Sequence, residues 1–437
     1  MPRWILALGL VLAGIGTHVR AGEDEVPDPA RPAAVFEHLD RNNDGKLTVG
    51  ELPDFLRSAF PRMDSDGDGA VSAAEYSRFS AGKSAAPKAE AHRVHSFLRD
   101  RHREHGRRNL RANGGGKQTE AAVELGLSWL ARHQEKTGEW SETAWKDRRE
   151  TEKCSGIASG EYDVVSTSLA LLAFLGAGDT ELKGKRRTIV KSGLDWLASR
   201  QAESGRIGPG AERLYYYDHA VATLAMSEAY AMTGDPARGK SAERAYRYLL
   251  AARRPGEGWG AGPRAEREDA GVTLWSLLAV RSAMMAGLTT PPKTLAEIRK
   301  RVAGWTVAKP AEGAPLFPHS QWQMGTGLLF FREGFRHDWG AFRKDPDVLS
   351  LVAAVPKERT AGDWYLGTMG LFMLHGDPYK WWNLAMYEIL LPRQAKKGCA
   401  AGSYDPADFG EKRLGRVGVT ACLTMCLEVY YRYGYCY

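Results

Sequence analysis

The feature that most constrains this chain is an internal repeat. Segments that are apolar on every helical face begin at residues 163, 218, 269, 321, 363 and 416, at intervals of 55, 51, 52, 42 and 53 residues. They read DVVSTSLALLAFLGAG, DHAVATLAMSEAYAMTG, DAGVTLWSLLAVRSAMMAG, QWQMGTGLLFFREGF, DWYLGTMGLFMLHG and RVGVTACLTMCLEVYYRYG. Between them run amphipathic segments with apolar residues at three- and four-residue steps: TEAAVELGLSWLARHQ, KRRTIVKSGLDWLASRQ, GKSAERAYRYLLAAR, TLAEIRKRVAGW and PYKWWNLAMYEILLPRQ, with a weaker candidate at DPDVLSLVAAV. A helix with no polar face must be buried, whereas an amphipathic one meets water on one side, so the alternation predicts an inner and an outer layer. Six inner helices ringed by six outer ones close into an all-α ring, an (α/α)6 toroid over residues 117–437.

The outer segments also share an ending: Gln134, Gly138 and Trp140; Gln201 and Gly205; Gly256, Gly258 and Trp259; Gln394 and Gly398, followed by Gly402 and Tyr404. Glutamine can bond the orphan groups at a helix end, glycine turns the chain, and the aromatic ring packs the turn on its neighbour. These endings resemble the QW repeats of squalene and terpene cyclases, and the likeness covers nearly all of residues 117–437. That resemblance implies a toroid of the terpenoid cyclase and protein prenyltransferase type. Complement-type thioester domains share the same toroid, so the fold does not fix an activity.

The chemistry of those families is missing. Squalene-type cyclases protonate an alkene with an Asp-x-Asp-Asp cluster, and the repeat region has none. Prenyltransferases hold zinc through Asp-x-Cys and thioester domains use Cys-Gly-Glu-Gln, and neither motif is present. What remains is a set of acids at one place in the repeat, Asp163, Asp218, Asp269 and Asp363, each expected to open an inner helix. The plain reading is that each caps its own helix. The alternative is an acidic mouth with Tyr162, Tyr217, His219, Trp275, Trp364 and Tyr365 nearby, suited to a carbohydrate or an isoprenoid.

Ahead of the repeat stand two twelve-residue loops, DRNNDGKLTVGE at residues 40–51 and DSDGDGAVSAAE at residues 64–75. Each sets oxygen-bearing side chains at its first, third, fifth and ninth positions, Gly at the sixth and Glu at the twelfth. A Ca²⁺ ion takes six to eight hard oxygen ligands, and Gly allows the sharp turn while the closing Glu offers two oxygens. Asp40, Asn42, Asp44 and Glu51 serve the first loop, and Asp64, Asp66, Asp68 and Glu75 serve the second. Lys46 and Ala70 would give backbone carbonyls, with Thr48 and Ser72 acting directly or through water. The loops resemble the EF-hand family, which places an EF-hand pair at residues 30–80 with Ca²⁺ as the cofactor. Only residues 52–63 separate the loops, room for one helix to leave the first and enter the second, which argues against the usual paired-loop lobe. The second loop carries four carboxylates and no Lys, so it is expected to bind the ion more tightly.

The termini and the charge set the context. Arg3 precedes an apolar run from Trp4 to Ile15, and Val19-Arg20-Ala21 follows, so residues 1–21 are expected to be a signal peptide. That run is too short to span a hydrocarbon core of about 30 Å, and no transmembrane segment is expected in the mature chain. Export to a periplasmic, cell-surface or extracellular location would permit disulfides among the five cysteines. Cys422 and Cys426 share a helix face and read as buried small apolar residues. The formal charge of +7 is concentrated between residues 81 and 111, where nine Lys or Arg face three acidic residues. Residues 81–116 therefore read as a basic flexible linker, compatible with an anionic cell-surface or polymeric ligand and not with a dedicated nucleic-acid site. Two functions of different class follow: a calcium-binding protein whose toroid is a non-catalytic scaffold or ligand-binding module, or an enzyme using the toroid cavity, either an atypical terpenoid cyclase or a carbohydrate-active enzyme.

Overall fold

The computed structural model describes residues 32–52, 57, 60–80, 98, 101, 110–141, 156, 162–208, 215–303, 359–374, 376–410 and 413–433. Two units separate, Met1–Ala91 and His92–Tyr437. The expected signal peptide at residues 1–21 lies outside the described residues.

In the first unit, helix α1 (Pro32–Leu39) leads into the first loop and its short strand β1 (Lys46–Leu47). Helix α2 (Phe60–Met63) enters the second loop, strand β2 (Val71–Ser72) follows, and helix α3 (Ala73–Ser80) leaves it. The strands pair antiparallel, with Lys46 opposite Ser72 and Leu47 opposite Val71. The paired-loop lobe therefore forms, against the expectation from the short spacer. The reason is local: the ladder uses only the seventh and eighth positions of the first loop and the eighth and ninth of the second, which the length of the connecting helix does not restrict. Leu47 and Val71 are fully buried from the ladder into a core of Val35, Phe36, Leu52, Phe60, Met63 and Tyr76.

Among its described residues, the regular elements of the second unit are helices. Its inner helices are α5 (Asp163–Gly176), α7 (Tyr215–Thr233), α9 (Ala270–Met285), α11 (Ala361–Leu374) and α13 (Gly415–Leu427), the last continuing as α14 (Val429–Arg432). Its outer helices are α4 (Lys117–Arg132), α6 (Arg187–Ser199), α8 (Pro236–Ala251), α10 (Pro292–Ala303) and α12 (Gly376–Arg393). The layers follow from composition: α5 is buried from Val164 to Gly176, whereas α6 buries only Val190, Gly193, Leu194, Trp196 and Leu197. Inner helices pack in succession, α11 on α13, α13 on α5, α5 on α7 and α7 on α9, while α4, α6, α8 and α12 back α13, α5, α7 and α11. The inner segment expected at residue 321 and the outer one near DPDVLSLVAAV lie outside the described residues.

The recurrent glutamine explains how neighbouring outer helices are held. Gln134 Nε2 donates to the carbonyls of Gly138 (2.7 Å) and Ile189 (2.9 Å), and Gln201 Nε2 to those of Gly205 and Ser241, both at 3.0 Å. Gln394 Nε2 does the same to Gly402 (3.0 Å) and Ala122 (2.8 Å). Each glutamine thus closes its own turn and ties it to the next outer helix, the last one reaching the first. The turn glycines Gly138, Gly205 and Gly402 hold φ of 109°, 95° and 100°, where a side chain is strained. In the last repeat Gly402, not Gly398, takes this place. In two of the repeats the residue after the turn is a tryptophan that is also fixed, the indole Nε1 of Trp140 donating to Leu130 O and that of Trp259 to Leu249 O, each at 2.7 Å.

The flexible-linker expectation for residues 81–116 fails where the chain is described. Leu98 and Arg101 are buried in the second unit, and Asn113 Nδ2 donates to Tyr430 O at 2.7 Å. Basic composition suggested solvation, but a guanidinium with carboxylate partners can be buried. Cys422 and Cys426 are buried, as expected from their shared face, and Cys399 is disulfide-bonded.

Candidate functional site

The second loop draws its acids inward. Asp64 accepts from the backbone N–H groups of Gly67 (2.6 Å) and Gly69 (3.2 Å), Asp66 from Asp68 (3.1 Å), and Asp68 Oδ1 from Ala70 (2.9 Å). These bonds bring a carboxylate oxygen from each of Asp64, Asp66 and Asp68 to within 4.8 Å of one another. Glu75 folds back across the loop: Oε1 accepts from Ser65 N and Oγ and from Asp66 N, and Oε2 from Ser72 N and Oγ, at 2.7–3.1 Å. Burial opposes its charge, but these donors outweigh it and hold the Glu75 carboxyl down at about 2. Three converging carboxylates with no cation between them repel, so the donor set fits a hard divalent ion.

The first loop is built alike. Asp40 accepts from Asp44 N (3.2 Å) and Gly45 N (2.8 Å), Asn42 Oδ1 from Asp44 N (2.9 Å), and Asp44 Oδ1 from Lys46 N (2.9 Å). Glu51 Oε2 accepts from Thr48 N and Oγ1, while its Oε1 is shielded and has no hydrogen-bond partner. An orphaned carboxylate oxygen at the loop's closing position also fits a metal. Gly45 and Gly69 turn the loops at φ 79° and 92°. One contact crosses between loops: Lys46 Nζ donates to Asp68 Oδ2 at 2.9 Å. It lowers the Asp68 pKa and raises that of Lys46.

In the second unit the four candidate acids separate. Asp269 caps α9, accepting from Val272 N at 2.9 Å. Asp363 completes a capping box: its Oδ2 accepts from Thr360 N and Oγ1 at 2.8 and 2.9 Å, and Asp363 N donates to Thr360 Oγ1 at 3.2 Å. Asp163 is the first residue of α5. Asp218 differs, because α7 begins at Tyr215 and the acid lies one turn inside.

The register follows from the turns. Thr167, His219, Thr273 and Thr420 accept the backbone N–H of Trp140, Ile207, Trp259 and Tyr404 at 2.8–3.1 Å, so His219 is the counterpart of three threonines. Its Nδ1 accepts from Ile207 and its Nε2 donates to Ala245 O at 3.0 Å, and burial holds its pKa down at about 4. His219 is therefore a neutral staple. Asp218, by contrast, is 6% exposed, its Oδ1 has no hydrogen-bond partner, and burial pushes its pKa up to about 7.

Among inner helices the aromatics meet one another. Tyr217 meets Trp275 edge-on at 5.9 Å, Trp275 stacks on Tyr365 at 5.6 Å, and Tyr365 and Tyr433 share a hydroxyl bond of 3.2 Å. Beyond Tyr433 lies a charge cluster that sequence reasoning missed. Arg101 Nη1 and Nη2 donate to Glu228 at 2.6 and 3.2 Å, and its Nε to Arg432 O at 2.7 Å. Arg432 bonds Glu428 at 2.9 Å and Glu228 at 3.4 Å. Two guanidiniums keep Glu228 ionised; Glu428, with one guanidinium and an orphaned Oε1, is pushed up to about 8 by desolvation. A glutamate inside the otherwise apolar DHAVATLAMSEAYAMTG was the available signal.

Comparison with known proteins agrees with this division. The family model described as EF hand matches residues 33–56 and 56–80. No curated protein matches the chain. Among solved structures, an inactive variant of the α-1,6-mannanase of Salegentibacter sp. HEL1_6, in complex with α-1,6-mannotetrose, is 10% identical with a TM-score of 0.51, covering 72% of this chain and 99% of its own. An α-amylase from Clostridium perfringens is 9% identical over 71% of this chain and 98% of its own, with a TM-score of 0.47. The type II terpene cyclase MstE from Scytonema is 13% identical over 72% and 98%, with a TM-score of 0.43. The chain is thus an EF-hand pair joined to an α/α toroid, and the likeness at such identity concerns the fold alone.

Proposed function

We propose that this chain is an exported calcium-binding protein whose toroid serves as a non-catalytic scaffold or ligand-binding module. The observation that carries the reading is the convergence of Asp64, Asp66 and Asp68 within 4.8 Å in a loop paired to a second of the same design. Asp40, Asn42, Asp44 and Glu51 would hold one ion and Asp64, Asp66, Asp68 and Glu75 the other, with carbonyls of Lys46 and Ala70. In an exported protein, sites with affinity of about 0.1 to 1 mM would stay filled and serve structure or adhesion, not signalling. The scaffold reading is supported by the caps at Asp269 and Asp363 and by the Trp275, Tyr365 and Tyr433 packing between inner helices. The disulfide at Cys399 supports export, since such bonds persist in oxidising compartments.

Calorimetric titration tests the calcium reading. Two Ca²⁺ per chain are expected, and Asp40→Ala with Asp64→Ala removes both; stoichiometric binding retained in that double variant overturns the assignment. For export, the secreted protein should begin at Gly22, and a mature chain retaining residues 1–21 overturns the leader.

A second reading rests on Asp218. A buried carboxyl without a partner at Oδ1, protonated near neutral pH, is equipped to donate a proton or a hydrogen bond to a ligand in the toroid. Thermal-shift measurement with oligosaccharides and prenyl compounds, on wild type and Asp218→Ala, tests it. A stabilisation that Asp218→Ala abolishes supports this reading, and no shift with either class removes it.

A further inference from the structure

Counting residues assigns the only lysine of the two loops to the first, as a charge that should weaken that site. Geometry assigns its effect elsewhere. The ladder sets Lys46 opposite Ser72, which holds the lysine beside the second loop, and its Nζ lies 2.9 Å from Asp68 Oδ2. Asp68 Oδ1 is already held by Ala70 N at 2.9 Å. The lysine therefore engages the one Asp68 oxygen that its own loop leaves open.

We propose that Lys46 sets the calcium affinity of the second loop, its ammonium competing in trans with the ion for Asp68. The inference rests on the reading of the two loops as calcium sites. An ammonium has three donors and no acceptor, so it cannot ligate the ion and can only displace it or be displaced. Without metal, the lysine neutralises one of three carboxylates gathered within 4.8 Å and stabilises the empty loop. With metal, it must leave Asp68 or stand beside a dication. Both effects lower affinity, and they fall on the loop that its carboxylate count would make the stronger. The first loop contributes the lysine through its seventh position, whose backbone carbonyl serves its own ion, so one residue bears on both sites.

The pair is solvent-exposed, with side chains 52% and 43% accessible, so the effect is moderate and screened by salt. Replacing Lys46 by Met keeps the aliphatic stem and removes the charge. In the Asp40→Ala background, where only the second loop remains, Lys46→Met should tighten calorimetric Ca²⁺ binding about three- to tenfold at low salt, an advantage that shrinks at high salt. Lys46→Arg, which keeps a cation, should return affinity toward that of the lysine protein. In the otherwise unaltered chain the Met substitution should tighten one of two sites, which guards against misfolding of the Asp40→Ala protein. Unchanged or weaker affinity of the second loop in Lys46→Met overturns the proposal while two bound Ca²⁺ leave the calcium reading intact. Absence of Ca²⁺ binding in the wild-type chain overturns both.

Discussion

The side-chain amide of Gln394 donates to the carbonyl of Ala122 at 2.8 Å, joining the last outer helix to the first. The same turn brings Gly402 so close that a Cβ would lie 2.2 Å from Leu125 O, at φ 100°. Gly402→Ala therefore combines a strained backbone with a clash against a main-chain atom, and should cost about 2–4 kcal/mol. Gly287→Ala is the comparison: φ is 79° but nothing lies within 4 Å, so about 1 kcal/mol is expected. Urea denaturation followed by Trp fluorescence distinguishes them, because every Trp except Trp4 lies in the toroid unit. Equal losses at both positions would mean that the turn does not depend on this close approach.

Arg101 reaches Glu228 and the Arg432 carbonyl from a segment outside the repeat. Arg101→Ala leaves Glu228 with only the 3.4 Å contact to Arg432 and should destabilise the toroid by about 3–5 kcal/mol. Replacing both partners, Arg101→Met with Glu228→Gln, should recover part of that loss, since the Arg101 and Glu228 charges leave together while Arg432 is left with Glu428 as its carboxylate partner. Denaturation midpoints of the single and double variants give the result, and a single variant within 0.5 kcal/mol of wild type, about the spread of surface substitutions, would remove the cluster as a structural element.

Gly176 makes room for the same cluster. A Cβ there would fall 1.8 Å from Arg432 Nη1 and 2.0 Å from Glu428 Oε2, so Gly176→Ala must push one of them aside. Because both are fully buried, a loss of about 1–3 kcal/mol is expected by the same denaturation measurement. An unchanged midpoint would show that the two side chains can shift without cost.

The layers were legible because burial on every side leaves a plain mark on composition, and the starts of α5, α9, α11 and α13 fall within two residues of those expected. Asp218 was misaligned for a physical reason. Sequence matching lined up acids, whereas the structural register is set by the residue that accepts the turn N–H, a threonine three times and His219 once. Chemically different acceptors in one role hide that equivalence. The two EF-hand loops were legible because the turn glycine and the closing Glu follow one another along the chain. Lys46 on Asp68 and Arg101 on Glu228 were not, since both join residues that only the fold brings together.

Asp218 yields the sharpest dependence on pH. Burial raises its folded pKa to about 7, against 3.8 without burial, so between these values the folded state binds more protons than the unfolded chain. Its carboxyl is tolerated when protonated and penalised when ionised. Stability from this group therefore falls as pH rises from about 4 to about 7 and levels off above. Asp218→Asn removes the ionisation while keeping shape, so its stability relative to wild type should grow by about 2–3 kcal/mol between pH 5 and pH 8.5. Glu428, raised to about 8, titrates in both proteins and cancels in the difference. Urea midpoints of the two proteins across that range decide the matter. Parallel profiles would mean that Asp218 carries an ordinary carboxylate, and the second reading of the toroid would lose its acid.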